Sequence, residues 1–427
     1  GGGVGGLTLA YALAKCQDVR VDVYEAATRF AEIGAGVGLF WRTQRILTAL
    51  GLRDAVTALG SQFNDGYVPA FECRKSDQSE GVFIDTMLIK GGLTAVHRAE
   101  FHTILINSLS TVPNVGMHTS KRLVSYTQPV DPSAPVELTF ADGSSATCDV
   151  LIGADGLKSV VRALMMEEMA KKAKREEDAK AFRDCIRARF SGMLVYRAIL
   201  PSDRLAAINP GHKALRGPLQ YLGKNKHIVA YPISKGRFVN VAAFEVHFED
   251  EGIVFPDPWV SKVDARKVAK MFDGWEKEVT DIMSVMSMQE VSRWVVNIVK
   301  PLPTYAYGRV AAHAMCPLQG AGAGQAIEDA AVLSAVLSYP GATIKTASKA
   351  LESYSCIRLP SAKLVTDVSR ENSYNSALSV SGKPEISLSD LALRMQKCWE
   401  ISHGRDDPLK DARRAVNLFG KALTSTS

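Results

Sequence analysis

Residues 319–329 read Gln-Gly-Ala-Gly-Ala-Gly-Gln-Ala-Ile-Glu-Asp and are the most informative stretch of this 427-residue sequence. Gly320, Gly322 and Gly324 stand at alternate positions and lead into an apolar segment that predicts a helix. Such a loop exposes backbone N–H groups at a helix N-terminus, where a planar or anionic group is favoured. A second cluster, Gly-Gly-Gly-Val-Gly-Gly, fills residues 1–6. One ligand held from both ends of the chain predicts a large dinucleotide.

The amino-terminal glycines have the spacing of a nucleotide-binding turn. Gly1, Gly3 and Gly6 fit the pattern GxGxxG, and Glu25 follows Gly6 by 19 positions, at the end of a predicted strand. The glycines allow a tight turn and close approach of a pyrophosphate, and the carboxylate accepts hydrogen bonds from ribose hydroxyls. In a complete unit an apolar strand precedes the glycines, whereas here Gly1 is the first residue. The pattern favours nucleotide binding over a plain structural turn.

Composition places the chain among globular proteins with room for two domains that share an interface. The net charge is +6, and no basic face is concentrated enough to indicate nucleic-acid binding. Seven singly scattered cysteines argue against a disulfide framework and a zinc site. No apolar run approaches the roughly 20 residues of a membrane span, and no signal peptide is visible. We expect a soluble cytoplasmic protein, monomeric or homodimeric, without a metal site.

Periodicity predicts an α/β framework that carries an inserted antiparallel sheet. The sheet is predicted from four β-patterned segments, 194–200, 219–222, 227–233 and 238–246. Helices are predicted over 165–189, 265–283, 326–337, 343–354 and 390–401. The polar and basic tail after Arg405 is expected to be poorly ordered.

A further candidate contact lies at Asp155 and Gly156, where an apolar strand over 148–152 ends in Gly-Ala-Asp-Gly. A lone Asp-Gly is usually a turn. Its context over 148–162, Cys-Asp-Val-Leu-Ile-Gly-Ala-Asp-Gly-Leu-Lys-Ser-Val-Val-Arg, favours a ligand-binding role.

Four motifs in order carry a resemblance to a known family: the glycine turn with Glu25, the pair His97-Arg98, segment 153–162 and segment 317–329. Together they resemble the single-component, FAD-dependent aromatic hydroxylases (class A flavoprotein monooxygenases), especially the salicylate-hydroxylase-like branch common in fungi. The resemblance implies an FAD-binding Rossmann-like domain of the glutathione-reductase type, an inserted antiparallel-sheet substrate domain and C-terminal helices. The implied domains are FAD-binding 1–65, 95–165 and 300–375, substrate-binding 66–94 and 185–299, and a C-terminal helix and tail 376–427.

The resemblance also implies a set of cofactor-binding residues. These are Gly1, Gly3, Gly6, Glu25, Gly38, Arg98, Asp155, Gly156, Gly320, Gly322, Ala323 and Gly324. In such enzymes the amino-terminal glycines receive the FAD pyrophosphate, and the arginine matching Arg98 reaches the ribityl-phosphate region. Asp155 and Gly156 match a motif linked to both FAD and NAD(P)H, and Pro317 matches the segment against the isoalloxazine ring.

The implied reaction places the difficult chemistry on the flavin. NAD(P)H binds transiently and reduces FAD, and O₂ then gives a C4a-hydroperoxyflavin whose distal oxygen is attacked by a small phenolic substrate. The protein holds the ring, favours the phenolate and excludes water.

Arg197 and Tyr231 are our candidates for substrate contact, alongside Pro317 as the third catalytic candidate. Arg197 lies in the middle of a predicted strand, where an unpaired charge would be costly, and Tyr231 is predicted on a neighbouring strand. We hypothesise that Arg197 pairs with a phenolate or carboxylate that Tyr231 orients. The alternative is a structural ion pair and a core tyrosine. Trp294 is expected to be a packing residue.

One departure from the family pattern keeps other functions open. The family segment before the His-Ala-Met run reads as an apolar strand followed by Gly-Asp-Ala-Ala-His, whereas here Val310 runs directly into Ala311-Ala312-His313. The Asp that binds the ribityl and phosphate region is therefore lacking. The alternatives are a cofactor-impaired pseudo-enzyme, or a flavin-dependent epoxidase or Baeyer–Villiger-type oxygenase of a secondary-metabolite pathway.

Overall fold

The computed structural model describes residues 1–30, 36–60, 63–256, 258–313, 319–379 and 386–425. The strands are β1 (Val21–Tyr24), β2 (Gly36–Leu39), β3 (Tyr67–Lys75), β4 (Val82–Lys90), β5 (Thr94–His97), β6 (Val115–His118), β7 (Leu123–Thr127), β8 (Val136–Phe140), β9 (Ser145–Cys148), β10 (Leu151–Gly153), β11 (Arg189–Pro201), β12 (Leu219–Gly223), β13 (Lys226–Ile233), β14 (Phe238–Val246), β15 (Val260–Val263), β16 (Val291–Ile298), β17 (Ala306–Tyr307) and β18 (Val310–Ala312).

Helices occupy the connections and the C-terminal third. They are α1 (Val4–Leu13), α2 (Trp41–Ala49), α3 (Arg53–Thr57), α4 (Arg98–Leu109), α5 (Val160–Lys172), α6 (Glu176–Asp184), α7 (Ser202–Ile208), α8 (Ala265–Lys270), α9 (Lys277–Met286), α10 (Gly322–Leu337), α11 (Ala347–Ser376), α12 (Leu388–His403) and α13 (Leu409–Thr424).

An eight-stranded sheet dominates the fold, with strand order β15-β16-β11-β14-β13-β12-β3-β4. All neighbours are antiparallel except β12 and β3, which run parallel. The four β-patterned segments predicted from the sequence are β11 to β14. The prediction that Tyr231 lies on the strand next to Arg197 is wrong, because β14 pairs with both β11 and β13 and lies between them. In the β13–β14 hairpin it is therefore the second strand, β14, that pairs with β11, and β13 lies one strand further away.

The glycine-rich segments belong to a framework of smaller sheets and helices. Parallel pairs join β1 to β6 and β10 to β18, and β2 pairs with β5. Helix α1 packs closely on α10, where a Cβ on Gly5 would lie 3.0 Å from the Ala326 Cβ. The first and the last glycine-rich segments are therefore adjacent in space. This adjacency is what a shared ligand requires.

Two predicted helices are each divided in the structure. Segment 165–189 covers the second part of α5, all of α6 and the first residue of β11, with extended backbone at Ala173 between the helices. Like charges crowd that boundary, Lys171, Lys172, Lys174 and Arg175, and such neighbours give a continuous helix little support. Segment 265–283 divides into α8 and α9 at Gly274, whose φ of +80° ends a helix readily.

The expectation of a poorly ordered tail after Arg405 is wrong. Helix α13 buries Ala412, Ala415 and Phe419 at helical spacing against the core, while its basic residues are exposed. The many basic residues of this segment made it look polar overall, so the apolar stripe was not recognised from the sequence. Among the described residues, no helix is both long enough and apolar enough to cross a bilayer.

Candidate functional site

A cavity of about 1040 Å³ lies between one face of the large sheet and the glycine-rich framework. Most of the predicted site residues line it, including both glycine-rich segments. The predicted residues in its wall are Gly3, Gly38, Arg98, Gly156, Arg197, Tyr231, Gly320, Gly322 and Ala323. Gly1, Gly6, Glu25, Asp155 and Gly324 are not in the wall, and Pro317 lies outside the described residues.

At the amino-terminal turn, some glycines serve packing and others face the cavity. A Cβ on Gly6 would lie 2.0 Å from the Gly1 carbonyl oxygen, and a Cβ on Gly1 would lie 2.1 Å from that of Ala154. Only glycine allows this approach of α1 to the strand end. Gly3, which caps α1, faces the cavity instead.

Glu25 fixes this turn from the end of β1. Its carboxylate accepts hydrogen bonds from Gly2 N at 2.7 Å and Ala27 N at 2.8 Å. Partial burial alone would raise the pKa of Glu25, yet these backbone donors outweigh it and hold the pKa below its ordinary value. The carboxylate is therefore ionised next to the glycine turn.

The second glycine-rich loop provides open space beside its backbone. Gly320 has a φ of +65°, and a Cβ on Gly320 or Gly322 would meet no atom within 4 Å. Gly324 has a packing role, because a Cβ there would lie 2.9 Å from Thr43 Oγ1. The start of α10 thus presents backbone N–H groups to the cavity.

Asp155 is turned away from the cavity and caps α5. One carboxylate oxygen accepts from Ser159 Oγ at 2.5 Å, and the other accepts from Val160 N at 2.7 Å. Its neighbour Gly156, with a φ of +74°, is exposed and lines the cavity. The sequence pattern located the loop but could not say which of the two residues faces the ligand.

The sheet face supplies the polar side chains of the cavity. Arg197 NH2 donates a long hydrogen bond of 3.4 Å to the Gly36 carbonyl oxygen, and none of the ion pairs in the described ranges involves Arg197. Removal from water lowers the pKa of Arg197, and the nearby Tyr231 phenol opposes that change. A guanidinium without a carboxylate partner in a cavity wall is suited to an anionic ligand.

Tyr231 and Asn240 stand beside Arg197 on the same face of the sheet, joined through Gly36 of β2. Gly36 N donates to Asn240 Oδ1 at 2.8 Å, and a Cβ on Gly36 would lie 2.5 Å from the Tyr231 hydroxyl. Burial raises the pKa of Tyr231 to about 12, with Arg197 opposing, so the phenol stays protonated and can donate a hydrogen bond.

Two cavity residues were misjudged or missed from the sequence. Trp294 was expected only to pack, but it lines the cavity and its ring lies under Arg197. His227 also lines the cavity and stacks on Phe244 with 4.3 Å between ring centroids. Burial lowers the pKa of His227 to about 3, so its ring is neutral. His227 precedes Tyr231 by four residues on the same strand. Residues an even number apart on a strand point to the same face, so this spacing could have identified His227 as a cavity residue.

Sequence reasoning also missed a buried ion-pair cluster behind the second glycine-rich loop. Arg42 of α2 donates to Glu328 of α10 at 2.8 Å, and Arg358 of α11 donates to Glu328 and Asp329, each at 2.8 Å. Asp329 also pairs with His313, which lines the cavity. Most of these residues lie far apart in the sequence, so no local sequence pattern predicts that they pair.

Comparison with known proteins agrees with this geometry. Residues 1–190 match the family described as FAD binding domain. An FAD-dependent monooxygenase of Strobilurus tenacellus is 36% identical over 99% of this chain and 97% of its own. The chain belongs to the FAD-dependent monooxygenases. A salicylate hydroxylase of Pseudomonas putida is 31% identical over 97% of this chain and 93% of its own. A 6-methylsalicylate 1-monooxygenase of Aspergillus terreus is 30% identical over 100% and 93%.

Solved structures of FAD-dependent monooxygenases show the same architecture. A salicylate hydroxylase in complex with its substrate superposes with a TM-score of 0.81 at 27% identity, covering 97% of this chain and 96% of that one. The predicted α/β fold with an inserted sheet is confirmed, and the cofactor is FAD. The cavity fits such a group, since both glycine-rich segments border it and leave open space at Gly156, Gly320 and Gly322. The domain boundaries and the roles of individual residues remain predictions.

Proposed function

We propose that this FAD-dependent monooxygenase uses NAD(P)H and O₂ to hydroxylate a small phenolic carboxylate of the salicylate type. Two relatives whose names specify salicylate or 6-methylsalicylate chemistry match nearly the whole chain. Bound FAD, once reduced, supplies the activated oxygen. The chain's own residues bind the substrate, hold it in place and keep water out.

The observation that carries this proposal is the environment of Arg197. Its guanidinium faces a cavity walled by both glycine-rich segments, and its hydrogen bond to Gly36 is long, at 3.4 Å. A carboxylate or phenolate bound there would be the negatively charged partner that no residue in the described part of the chain provides to Arg197. A charge-assisted pair of this kind also holds a planar ring in one orientation. Arg197 therefore selects anionic aromatic substrates.

Tyr231 completes the anion subsite as a neutral hydrogen-bond donor. Because its pKa is raised to about 12, it donates to a substrate oxygen and does not repel an anion. Trp294 and Val229 provide apolar walls of the same cavity. A flat aromatic acid is the ligand class that meets a cation, a phenol and apolar walls together.

The cofactor is held by the remaining wall residues. Backbone N–H groups at Gly3 and at the Gly320–Gly322 turn meet the anionic and planar parts of FAD. Arg98, at the first turn of α4, contributes a cation to the same cavity. Gly38 and Ala323 line the same cavity, and Pro317 precedes the Gly320–Gly322 turn in the sequence. The reductant enters on the side of Gly156, which is exposed.

The test is NAD(P)H oxidation by purified, FAD-loaded protein with a panel of salicylates, neutral phenols and non-phenolic aromatic acids. We expect substrate-stimulated oxidation with phenolic carboxylates and a product heavier by one oxygen atom that carries the label from ¹⁸O₂. Products of epoxidation or of ring-ketone insertion would instead support the alternative oxygenases. A protein that stays colourless after reconstitution with FAD would contradict the proposal and favour a pseudo-enzyme.

A further inference from the structure

The glycine-rich loop at the start of α10 is flanked at both ends by glutamines that are hydrogen-bonded to other helices. Before the loop, Gln319 Oε1 accepts from Ser402 Oγ at 2.5 Å and from Ser369 Oγ at 3.3 Å. After the loop, Gln325 Oε1 accepts from Arg358 NH2 at 2.7 Å. Both glutamines are buried and line the cavity. The loop therefore depends on α11 and α12 for its position.

A third contact to this region comes from α13, none of whose residues lines the cavity. Arg42 NH2 donates to Glu328 Oε2 and to Asp411 Oδ2, both at 3.0 Å, and Arg42 NH1 donates to the Asp406 carbonyl oxygen. Asp411 stands in the first turn of α13. Arg42 thus holds Glu328 of α10 in a bidentate contact and binds the beginning of α13 through separate hydrogen bonds.

Asp411 gives Arg42 a second carboxylate partner in this buried cluster. Arg42 and Arg358 face Glu328, Asp329 and Asp411, and His313 pairs with Asp329. Arg42 and Glu328 are 4% and 3% exposed, so water contributes little screening. Without the Asp411 carboxylate, Glu328 would be the sole carboxylate partner of Arg42 in the described cluster. Glu328 is also shared with Arg358, which donates to it at 2.8 Å.

A displacement of Glu328 would reach the loop directly. Glu328 follows Gly324 by four residues, about 6 Å along the helix axis, and a helix transmits such a shift as a rigid body. Arg42 also lies two residues after Phe40, which lines the cavity and stacks on His403 with 3.7 Å between centroids. The same contact therefore fixes the end of β2 as well as the start of α10.

We propose that Asp411 is a positioning residue of the flavin site, acting through Arg42 and Glu328 to hold the Gly320–Gly324 loop against the cofactor. This inference rests on the assignment of that loop to the flavin ring made above. It gives the C-terminal helix a role in cofactor geometry, although α13 does not border the cavity.

The experiment is an FAD titration of the full-length apoprotein in three variants: Asp411→Asn, Asp411→Glu and the control Asp407→Asn. Asp407 lies four residues earlier, and its carboxylate makes an exposed contact to Arg45 at 3.7 Å. Asn at that position still caps α13, because Asp407 Oδ1 accepts from Leu409 N at 3.1 Å. The control repeats the same chemical change outside the buried cluster.

We expect Asp411→Asn to weaken FAD binding about tenfold and to change the visible circular dichroism of the bound flavin. Asp411→Glu should restore most of both, and Asp407→Asn should stay within about twofold of the parent. Flavin release on heating should precede the change in tryptophan fluorescence in Asp411→Asn alone. Because the titration uses no substrate, it is independent of whether Arg197 selects phenolic carboxylates.

Two results would overturn the proposal. One is an Asp411→Asn protein with the parent's FAD affinity and flavin dichroism. The other is a parallel loss in which flavin release and unfolding shift together by the same number of degrees, since that marks a general stability effect. Recovery with Asp411→Glu would distinguish a lost contact from misfolding.

Discussion

The Arg197 guanidinium lies over the indole ring of Trp294, with Cζ 5.6 Å from the ring centroid. The two side chains come from paired strands, β11 and β16, and face the same cavity. An aromatic face attracts a cation without neutralising it, so the arginine keeps its positive charge available for a ligand. This arrangement explains how Arg197 can remain charged in the cavity wall although no carboxylate of the described residues pairs with it.

Arg197→Ala should abolish efficient hydroxylation while leaving FAD bound. Losing a charged hydrogen bond worth about 2 kcal/mol lowers kcat/KM for a phenolic carboxylate about 30-fold. Steady-state NAD(P)H oxidation and the flavin spectrum measure the two effects separately. Arg293→Ala is the matched control, because Arg293 pairs across from Tyr196 and is not in the cavity wall. Equal turnover in parent and Arg197→Ala would remove Arg197 from the substrate site.

Gly36→Ala should impair substrate binding through a clash with Tyr231. The added Cβ would lie 2.5 Å from the tyrosine hydroxyl and 2.6 Å from Cε2, distances that force one element to move. Tyr231→Ala removes those atoms, so the double variant should recover part of the loss. A double-mutant cycle on substrate Kd measures this coupling. Additive losses would show that the two residues do not meet.

Glu328 should make the protein sensitive to acid. Burial alone would raise its pKa, but Arg42 and Arg358 overcome this effect and lower the pKa from 4.5 to about 2. Since the folded pKa lies below the unfolded one, this contribution to stability is complete above about pH 4.5 and is lost as the pH falls towards 2. Urea unfolding at several pH values should show a steep decline in this window. Glu328→Gln should be less stable at neutral pH by about 3–5 kcal/mol and should have a flatter pH dependence.

Phe419→Ala should destabilise the fold strongly, because α13 is part of the core. Phe419 is fully buried, whereas the adjacent Leu418 is 38% exposed. Removing a buried phenylalanine costs about 3–5 kcal/mol, and Leu418→Ala should cost about 0.5 kcal/mol or less. Chemical denaturation of both variants provides the comparison. Similar small losses would mean that the tail is dispensable for folding.

Several features of the site could be predicted because their signals are local in the chain. Glycine spacing predicted that the turns at Gly3 and Gly320 bind the cofactor; both turns line the cavity, and their contact with FAD stays a prediction. Alternation of apolar residues located β11 to β14, since a strand exposes every second side chain to one face. Arg197 was noticed because a charge in the middle of an apolar strand needs a partner.

Other features depended on contacts between distant segments. Asp155 faces a helix terminus and Gly156 faces the cavity. The backbone conformation of this loop in the folded protein decides which residue faces which way. The pairing of β14 between β11 and β13 separates Arg197 from Tyr231 by one strand, and strand order is not encoded in periodicity.

The sequence by itself determined the α/β class, the two glycine-rich turns and the cation in the inserted sheet, because each rests on a local pattern of residues close together in the chain. Only the tertiary structure decided which glycines face the cavity and that Trp294 supports Arg197. It also revealed the buried cluster that joins Arg42, Glu328 and Asp411, whose members are separated by up to 369 positions. Buried charges find partners through space, so their pairing follows from packing and is invisible in any local pattern.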